Sequence, residues 1–339
     1  MKKFTTLILI ALFTVSLYAG DAARKGTTGA DYLLIPVGAR GIATAGAFVA
    51  NLTGLESIYY NPAGLDIAGG AEFMFSYMNY FADINITYAA ISTQLSDFGS
   101  LAFTLKTIGF GDIPITTVDE PEGTGSTYSP VFLTVGLTYS KMITDRISVG
   151  TNIKFLSESI QNVTANGVAV DVGVQYFFTP VFTIGATVMN IGPNMRYSGP
   201  ELTDRTNITG SNIGTQGGQF EIVTESFQIP SYFQLALSYG LNINEQNNVM
   251  FASTFVANNA LEDVLNFGLE YGFDNTFFLR GGYNYTAGGN NDETVFGFTA
   301  GAGLDYQTGD VGIVFDYAFR EVKEFPTSNH VFTVKLRFQ

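Results

Sequence analysis

Apolar residues recur at every second position from about residue 71 to the end of this 339-residue chain. In segment 168–178, for example, Val168, Val170 and Val172 share one face, and Ala169 and Asp171 lie on the other. Successive side chains of a β-strand point to opposite sides of its sheet, so this alternation predicts strands with one apolar face. We count fourteen such strands, at residues 71–81, 84–95, 98–110, 129–141, 146–158, 165–178, 181–190, 229–240, 247–256, 264–273, 276–286, 293–307, 310–320 and 330–338.

The connections between these strands alternate in length. Connections after even-numbered strands are short, such as Ser96-Asp97 and Thr308-Gly309, whereas those after odd-numbered strands are mostly longer, notably 111–128, 191–228 and 321–329. An even number of strands with short turns at one end and long loops at the other is typical of outer-membrane barrels. We therefore predict an all-β, transmembrane, antiparallel up-and-down barrel of about fourteen strands. The alternative, a soluble β-sandwich, would have shorter strands and no such alternation of loop length.

Composition agrees with a barrel and excludes other classes. Charged residues make up 14% of the chain, below the roughly 25% of soluble domains, and the net charge is -14. After the first twenty residues no apolar run approaches the ~20 residues that a membrane helix needs. An acidic chain without a basic face is not a nucleic-acid binder. With no Cys, disulfides, thiolate metal sites and lipid anchoring at a cysteine are excluded. The 30 Phe and 18 Tyr cluster near strand ends, as in the aromatic girdles of barrels.

The amino terminus predicts export. Lys2 and Lys3 precede an apolar stretch, Phe4 to Tyr18, and small residues follow from Ala19. This order is typical of a cleaved secretory signal at residues 1–19; the alternative is a retained anchor. The last predicted strand ends in Phe338, which resembles the aromatic C-terminal signal of barrel proteins, displaced by one residue because Gln339 follows. We expect location in the outer membrane of a Gram-negative-type bacterium, in contact with its lipid.

Residues 20–70 precede the predicted barrel, which spans 71–339, and they lack strand character. Small residues dominate from Gly38 to Ala47, and Asn61-Pro62 predicts a turn with Pro62 as a first helical residue. Barrels of eight strands are filled by side chains, and barrels of sixteen leave a channel, so fourteen strands leave space that another segment has to occupy. We predict that residues 20–70 form a hatch, or plug, inside the lumen. An ordinary periplasmic extension is the alternative.

Two motifs in this segment resemble a known family. The first runs from Ile35 to Gly41 (IPVGARG) and the second from Tyr60 to Leu65 (YNPAGL). Their order and spacing resemble the N-terminal signature of the PorV/PorQ family of FadL-like outer-membrane barrels, although residues 52–55 (LTGL) and Tyr60 depart from it. The resemblance assigns to the hatch motif Gly38, Ala39, Arg40, Gly41, Asn61, Pro62, Ala63 and Gly64.

This resemblance implies two different functions. PorV-type proteins serve type IX secretion, where they bind translocon subunits and exported cargo that carries a C-terminal sorting domain. We expect this protein-binding role. The alternative, implied by FadL-type barrels, is passive diffusion of hydrophobic small molecules through a lateral opening associated with the hatch. Neither role requires a cofactor or a metal, and the sequence contains no phosphate loop or nucleotide fingerprint.

Alternation also predicts which charged residues face the lumen. They are Lys106, Lys154, Asp171, Glu270, Arg280, Asp316, Lys335 and Arg337. Because both signs are present, we predict a polar network that holds the hatch; a dedicated ligand site is the alternative. In segment 296–306, Phe296 lies on the predicted outer face, and Gly297, Gly301 and Gly303 lie on the inner face, where they would let the hatch approach the wall.

Three further features leave alternatives open. Loop 191–228 is either a docking surface for a partner or a solvated loop. Loop 111–128 carries Asp112 and the acidic run 119–122, which favours a solvated acidic loop over a Ca²⁺ site because the spacing is irregular. His330 is the only histidine, and no nucleophile is placed beside it by any motif, so we assign no catalytic residue and predict that the protein is not an enzyme.

Overall fold

The computed structural model describes residues 26–206, 218–286, 295–323, 325 and 327–338. Within these ranges fourteen long antiparallel strands form a closed barrel, which confirms the predicted fold class and strand number. The barrel strands are β1 (Ala71–Asn79), β2 (Asn85–Gln94), β3 (Ser100–Gly109), β4 (Val131–Thr144), β5 (Ile147–Ile160), β6 (Val163–Thr179), β7 (Phe182–Ile191), β8 (Tyr232–Asn242), β9 (Asn247–Asn258), β10 (Val264–Phe273), β11 (Phe277–Thr286), β12 (Phe296–Thr308), β13 (Val311–Val322) and β14 (Asn329–Phe338).

Each barrel strand pairs with its neighbours in sequence, and the last pairs with the first. The closing register runs from Ala71 opposite Phe338 to Asn79 opposite His330. Short turns join the strands at one end of the barrel, where the chain also enters β1 and leaves β14. By the orientation common to outer-membrane barrels this is the periplasmic end.

The longer loops lie at the opposite end and carry short strands of their own. Ile113–Pro114 pairs with Thr127–Tyr128, and Thr203–Thr206 pairs with Gly218–Glu221. Tyr197–Ser198 extends the sheet beside β6. A 3₁₀ turn at Pro200–Leu202 also belongs to a long loop, whereas the 3₁₀ turn at Ser96–Phe98 lies in the short connection between β2 and β3.

Side chains alternate between lipid and lumen as the pattern predicts. In β1, Phe73 and Phe75 are 40% and 41% exposed, whereas Glu72 and Met74 are buried. The exposed apolar side chains of the strands form the outer surface of the barrel, and the polar side chains between them point inward. This arrangement is the one expected where lipid surrounds the wall.

One predicted face is wrong at the start of β12. Phe296 pairs with Val322, but the next paired residue is Thr299, opposite Arg320, so the register shifts between them. Because a β-bulge inserts an unpaired residue, it reverses the faces on one side of it. Phe296 therefore lies on the lumen side, stacked on Arg320, while Phe298 faces outward.

Residues 26–70 form the hatch, which lies inside the barrel. It consists of helices α1 (Ala39–Ala43), α2 (Ser57–Tyr60) and α3 (Leu65–Ala68), with 3₁₀ turns at Asp31–Leu34, Gly54–Glu56 and Pro62–Gly64. Most hatch side chains are buried, and Phe48, Leu52 and Leu55 are fully so. Among the described residues no helix has the length and apolarity needed to cross a membrane. The predicted signal peptide at 1–19 and the first residues of the predicted hatch, 20–25, lie outside the described residues.

Candidate functional site

The first half of the hatch motif begins helix α1 and ties it to the wall. Gly38 has a φ of 83°, and a Cβ there would lie 2.5 Å from Oε1 of Glu56, so only glycine fits. The backbone N–H of Ala39 donates to Oγ1 of Thr333 on β14 at 2.9 Å. The N–H of Gly41 donates to Oε1 of Glu56 at 2.9 Å. These contacts fix the position of α1 between Glu56 and the barrel wall.

The second half of the motif packs against β4 to β6. The Asn61 side chain accepts from the N–H of Ala63 and donates to the carbonyls of Val49 and Val174, so it joins both parts of the hatch to β6. Pro62 is the first residue of its 3₁₀ turn, as predicted, because the missing N–H costs nothing there. The carbonyl of Ala63 accepts from the hydroxyls of Ser140 and Ser148 at 3.0 and 2.6 Å.

Four of the predicted lumen residues join one continuous chain of ion pairs with the hatch. Arg40 donates two hydrogen bonds to Glu270, at 2.9 and 2.8 Å. Arg280 bridges Glu270 and Asp316, at 2.5 Å each. Lys335 contacts Glu56 of the hatch at 3.0 Å and Asp316 at 4.0 Å. Three cations therefore meet three carboxylates, and we call this set the ion-pair chain.

Glu56 connects the ion-pair chain to the backbone of α1. Burial alone would raise the pKa of its carboxyl group, but the ammonium of Lys335 and the N–H of Gly41 more than offset that effect. The pKa of Glu56 is therefore below its ordinary value, and the residue is ionised at neutral pH. Its negative charge is balanced inside the lumen by the ammonium of Lys335.

The remaining predicted lumen residues form separate contacts. Lys154 pairs with Asp171 at 2.7 Å in the middle of the barrel. Arg337 pairs with Asp305 close to the periplasmic end. Lys106 donates to the backbone carbonyls of Tyr32 and Ile35 in the hatch, at 2.9 and 2.6 Å. The eight charged residues thus lie on the inner side of the wall but do not form one site.

An apolar cavity of about 330 Å³ lies between the hatch and strands β8 to β13, toward the long loops; we call it the outer cavity. Leu34, Ile42 and Tyr60 of the hatch form one side of it. The barrel wall provides the other side, with Val256, Val264, Phe296, Asn284 and Arg320 among its members.

A second, polar cavity of about 580 Å³ lies at the periplasmic end; we call it the vestibule. Arg40, Glu72, Lys335 and Arg337 line it. Helix α1 separates the two spaces, since Ile42 faces the outer cavity and Arg40 faces the vestibule. The hatch and its ion-pair chain therefore close the lumen between the two ends.

Several residues that hold the hatch were missed by sequence analysis. Glu56 and Asp66 belong to the hatch and were not singled out; Asp66 accepts from Ser100 at 2.6 Å and from the N–H of Met142 at 2.8 Å. Glu72 on β1 accepts from the N–H of Leu55 at 2.7 Å. Alternation along β1 places Glu72 on the lumen side, so that residue had a usable signal. For Glu56 and Asp66 no periodic pattern exists, because the hatch turns are short and irregular.

Of the predicted inner glycines, Gly301 meets the hatch and two do not. A Cβ on Gly301 would lie 2.5 Å from Cβ of Ala43 in α1. A Cβ on Gly303 would instead meet Arg280 and Asp316, and one on Gly297 would meet Glu321 and Lys323. The expectation is therefore wrong for Gly297, which the register shift in β12 turns toward Glu321 and Lys323, and for Gly303, which makes room for the ion-pair chain.

The loop features and His330 lie apart from this site. Asp112 accepts a hydrogen bond from the hydroxyl of Ser129, and in the described ranges no group of three or more His, Asp or Glu could hold a metal. Loop 191–228 is described only in part, since residues 207–217 lie outside the described residues. Nδ1 of His330 and the hydroxyl of Tyr317 form a hydrogen bond of 2.8 Å on the outer side of the barrel.

No protein-family model and no curated protein matches this sequence. Solved structures do match. The "CymD monoaromatic hydrocarbon channel" has a TM-score of 0.58 and 13% identity over 90% of this chain and 98% of that one. The toluene transporter TodX of Pseudomonas putida has a TM-score of 0.56 and 14% identity over 89% and 96%. The toluene transporter TbuX of Ralstonia pickettii has a TM-score of 0.53 and 15% identity over 90% and 99%.

At these identities the likeness concerns the fold. This chain has the fold of a transmembrane β-barrel of outer-membrane type, and the solved structures that share it are channels and transporters. The likeness extends over about nine tenths of this chain and nearly the whole of each of those chains.

Proposed function

We propose that this protein lets hydrophobic small molecules diffuse across the outer membrane, which is the alternative function implied by the sequence resemblance. The observation that carries the proposal is the outer cavity. Its volume of about 330 Å³ falls in the range of small-molecule sites, and its lining is mostly apolar with a few amides and tyrosines. A compound of the size of a monoaromatic hydrocarbon would fill only part of this space.

The solved structures that share the fold support the same class of substrate. One is a monoaromatic hydrocarbon channel, and two are toluene transporters. Because the fold alone does not determine function, we use these proteins only to choose the probes for an experiment.

An irregular part of the wall supports a sideways path. Asn190 at the end of β7 has a φ of 59°, and the pairing between β6 and β7 shifts near Val170. A space of about 520 Å³ at this point is lined by buried Asn190 and by Val188 and Phe233, which face outward. Tyr232 lines both this space and the outer cavity, so a molecule that passes Tyr232 would reach the outside of the wall.

Uptake by proteoliposomes tests the proposal. Protein-containing vesicles should take up toluene or a fatty acid faster than protein-free vesicles. Val256→Trp would fill part of the outer cavity, and we expect it to lower uptake several-fold. The matched control is Val172→Trp, because Val172 faces lipid. Uptake equal to that of protein-free vesicles, or equal loss in both variants, would refute the proposal.

Export follows from the same proposal. We propose that residues 1–19 are a signal peptide removed on secretion and that the mature barrel, with its hatch from residue 20, lies in the outer membrane. Mass spectrometry of the protein from outer-membrane fractions should find an amino terminus at Gly20. An uncleaved amino terminus would contradict this.

A role in type IX secretion is a second candidate, favoured by the two hatch motifs. The motif residues have structural partners in the hatch and wall, so their presence supports the hatch architecture and does not by itself point to a protein partner. Pull-down from outer membranes should recover a translocon subunit or cargo with a sorting domain if this role is correct. Repeated absence of both would exclude it.

A further inference from the structure

A small cavity lies between the hatch and strands β2 to β8; we call it the inner cavity. Its volume is about 40 Å³, which is space for one particle the size of a water molecule or a monatomic ion. Leu33, Ile58 and Tyr59 of the hatch cover one side. The polar side chains of the wall that face it include Tyr88, Lys106, Thr134, Lys154 and Asp171.

The lining of the inner cavity has an excess of positive charge. Asp171 is its one carboxylate within the described residues, and both of its oxygens are engaged. Oδ1 accepts from Lys154 at 2.7 Å and from the N–H of Asn190 at 2.8 Å, and Oδ2 accepts from Asn152 at 3.1 Å. Asp171 therefore balances the charge of Lys154.

Lys106 is the second ammonium, and it is buried. Nζ donates to the carbonyls of Tyr32 and Ile35, which uses two of its three protons, and lies 5.3 Å from the ring centre of Tyr59. In the part of the chain that the structure describes, no carboxylate pairs with it; its charged neighbours are Lys154 and Arg320. An unpaired buried ammonium is costly, and an anion beside Lys106 would offset that cost.

Two hydroxyl groups of the inner cavity also lack partners. The hydroxyls of Tyr88 and Thr134 are fully buried and form no hydrogen bond of ordinary geometry with a described group, although the hydroxyls of Thr104 and Tyr32 lie near them. Both residues line the cavity, as does Lys106. A buried hydroxyl without a partner is costly, so a single acceptor placed among these donors would remove several penalties at once.

We propose that the inner cavity binds one monatomic anion, chloride in the cell. An anion accepts from the hydroxyls and the ammonium and also supplies the missing negative charge, whereas water supplies no charge. The small volume favours a monatomic anion over the larger phosphate and sulfate. Because Lys106 also holds the hatch backbone at residues 32 and 35, the anion stabilises the docked hatch. This proposal is independent of the proposed transport function.

Bromide provides the direct test. Crystals grown in sodium bromide should show an anomalous-scattering peak between Lys106, Tyr88 and Thr134. In solution, chloride or bromide should raise the melting temperature of the purified protein saturably over sodium gluconate of equal ionic strength, since gluconate is too large to enter. Density for water without an anomalous peak would overturn the proposal. A peak without a saturable shift at physiological chloride would mean binding at crystal concentration only, and would overturn it too.

Variants test whether the effect of chloride on the melting temperature arises at the inner cavity. Lys106→Met should abolish the difference between chloride and gluconate, and the double variant Tyr88→Phe with Thr134→Val should weaken chloride binding at least tenfold. Lys141→Met removes one positive charge outside the inner cavity and should keep the full chloride effect. If Lys106→Met does not fold, the double variant and the bromide crystal still test the proposed anion site. An unchanged chloride effect in the double variant contradicts the proposed site.

Discussion

Glu56 is the residue at which the hatch, the barrel wall and the ion-pair chain meet. One carboxylate oxygen accepts from Gly41 at 2.9 Å and the other from Lys335 at 3.0 Å, and the side chain is 1% exposed. Both hydrogen bonds are strong only while the carboxyl group of Glu56 is ionised. The docked hatch is therefore linked to the charge of one carboxyl group.

The lowered pKa of Glu56 predicts acid-sensitive docking. A carboxyl group whose pKa is lower in the folded state than the ordinary 4.5 stabilises the fold above pH 4.5. That contribution is lost as the pH falls through the lowered pKa. Hydrogen exchange of residues 38–60, corrected for intrinsic rates, should show less protection at acid pH. Glu56→Gln should weaken protection at neutral pH and reduce its dependence on pH. An unchanged pH dependence in this variant would contradict the prediction.

Single residues also show the limits of prediction from sequence. Strand alternation placed Lys154, Asp171 and Glu270 on the lumen side, because each strand has only two faces. Alternation could not pair Glu56 with Lys335, since their contact depends on how the whole hatch sits in the barrel. Phe296 was assigned to the wrong face because the register shift depends on β13 as well as on β12.

At the scale of elements, the hatch fits a wall that has glycines where the two come closest. Six strands, β5, β6, β7, β10, β11 and β12, each have one glycine at which an added Cβ would meet hatch atoms. In that order these glycines are Gly150, Gly173, Gly185, Gly268, Gly282 and Gly301. The wall thus has shallow depressions that match the short helices and turns. Sequence analysis predicted the principle from β12, but it could not identify the other positions because strand glycines occur on both faces.

Two adjacent glycines of β11 test this fit. A Cβ on Gly282 would lie 2.5 Å from the carbonyl carbon of Thr44, whereas one on Gly281 would meet nothing closer than 3.8 Å. Gly282→Ala should therefore destabilise the docked hatch by about 1–3 kcal/mol, as overpacking does elsewhere. Gly281→Ala is the control and should be nearly neutral. Chemical denaturation with hydrogen exchange of the hatch measures both. Equal effects would show that contact with the hatch is not what matters.

At the scale of the whole molecule, the barrel presents apolar side chains to lipid on every strand. Leu137 on β4 is 52% exposed and lies in the middle of the wall. Val118, in the long loop after β3, is fully exposed. Both side chains are exposed, but they have different surroundings if the barrel spans a bilayer.

Leu137→Arg therefore tests the membrane position of the barrel. Near the bilayer centre this change should cost about 2–4 kcal/mol, and Val118→Arg should cost almost nothing. Folding into lipid vesicles, followed by heat-dependent mobility on gels, measures the difference. Wild-type protein that stays soluble without detergent, or equal effects of the two changes, would contradict a transmembrane barrel.

The contacts between Ala39 and Thr333 and between Glu56 and Lys335 have a consequence for biogenesis. They join the beginning of the chain to its last strand, β14, which also closes the barrel against β1. If the barrel closed first, the hatch would have to enter it through one of its ends. The ion-pair chain and the close-fitting wall leave little room for that passage. The early segment is therefore best placed before closure, with the strands wrapping around it in order. In this route the hatch serves as the core on which the cylinder is shaped, and pairing of β1 with β14 is the final step.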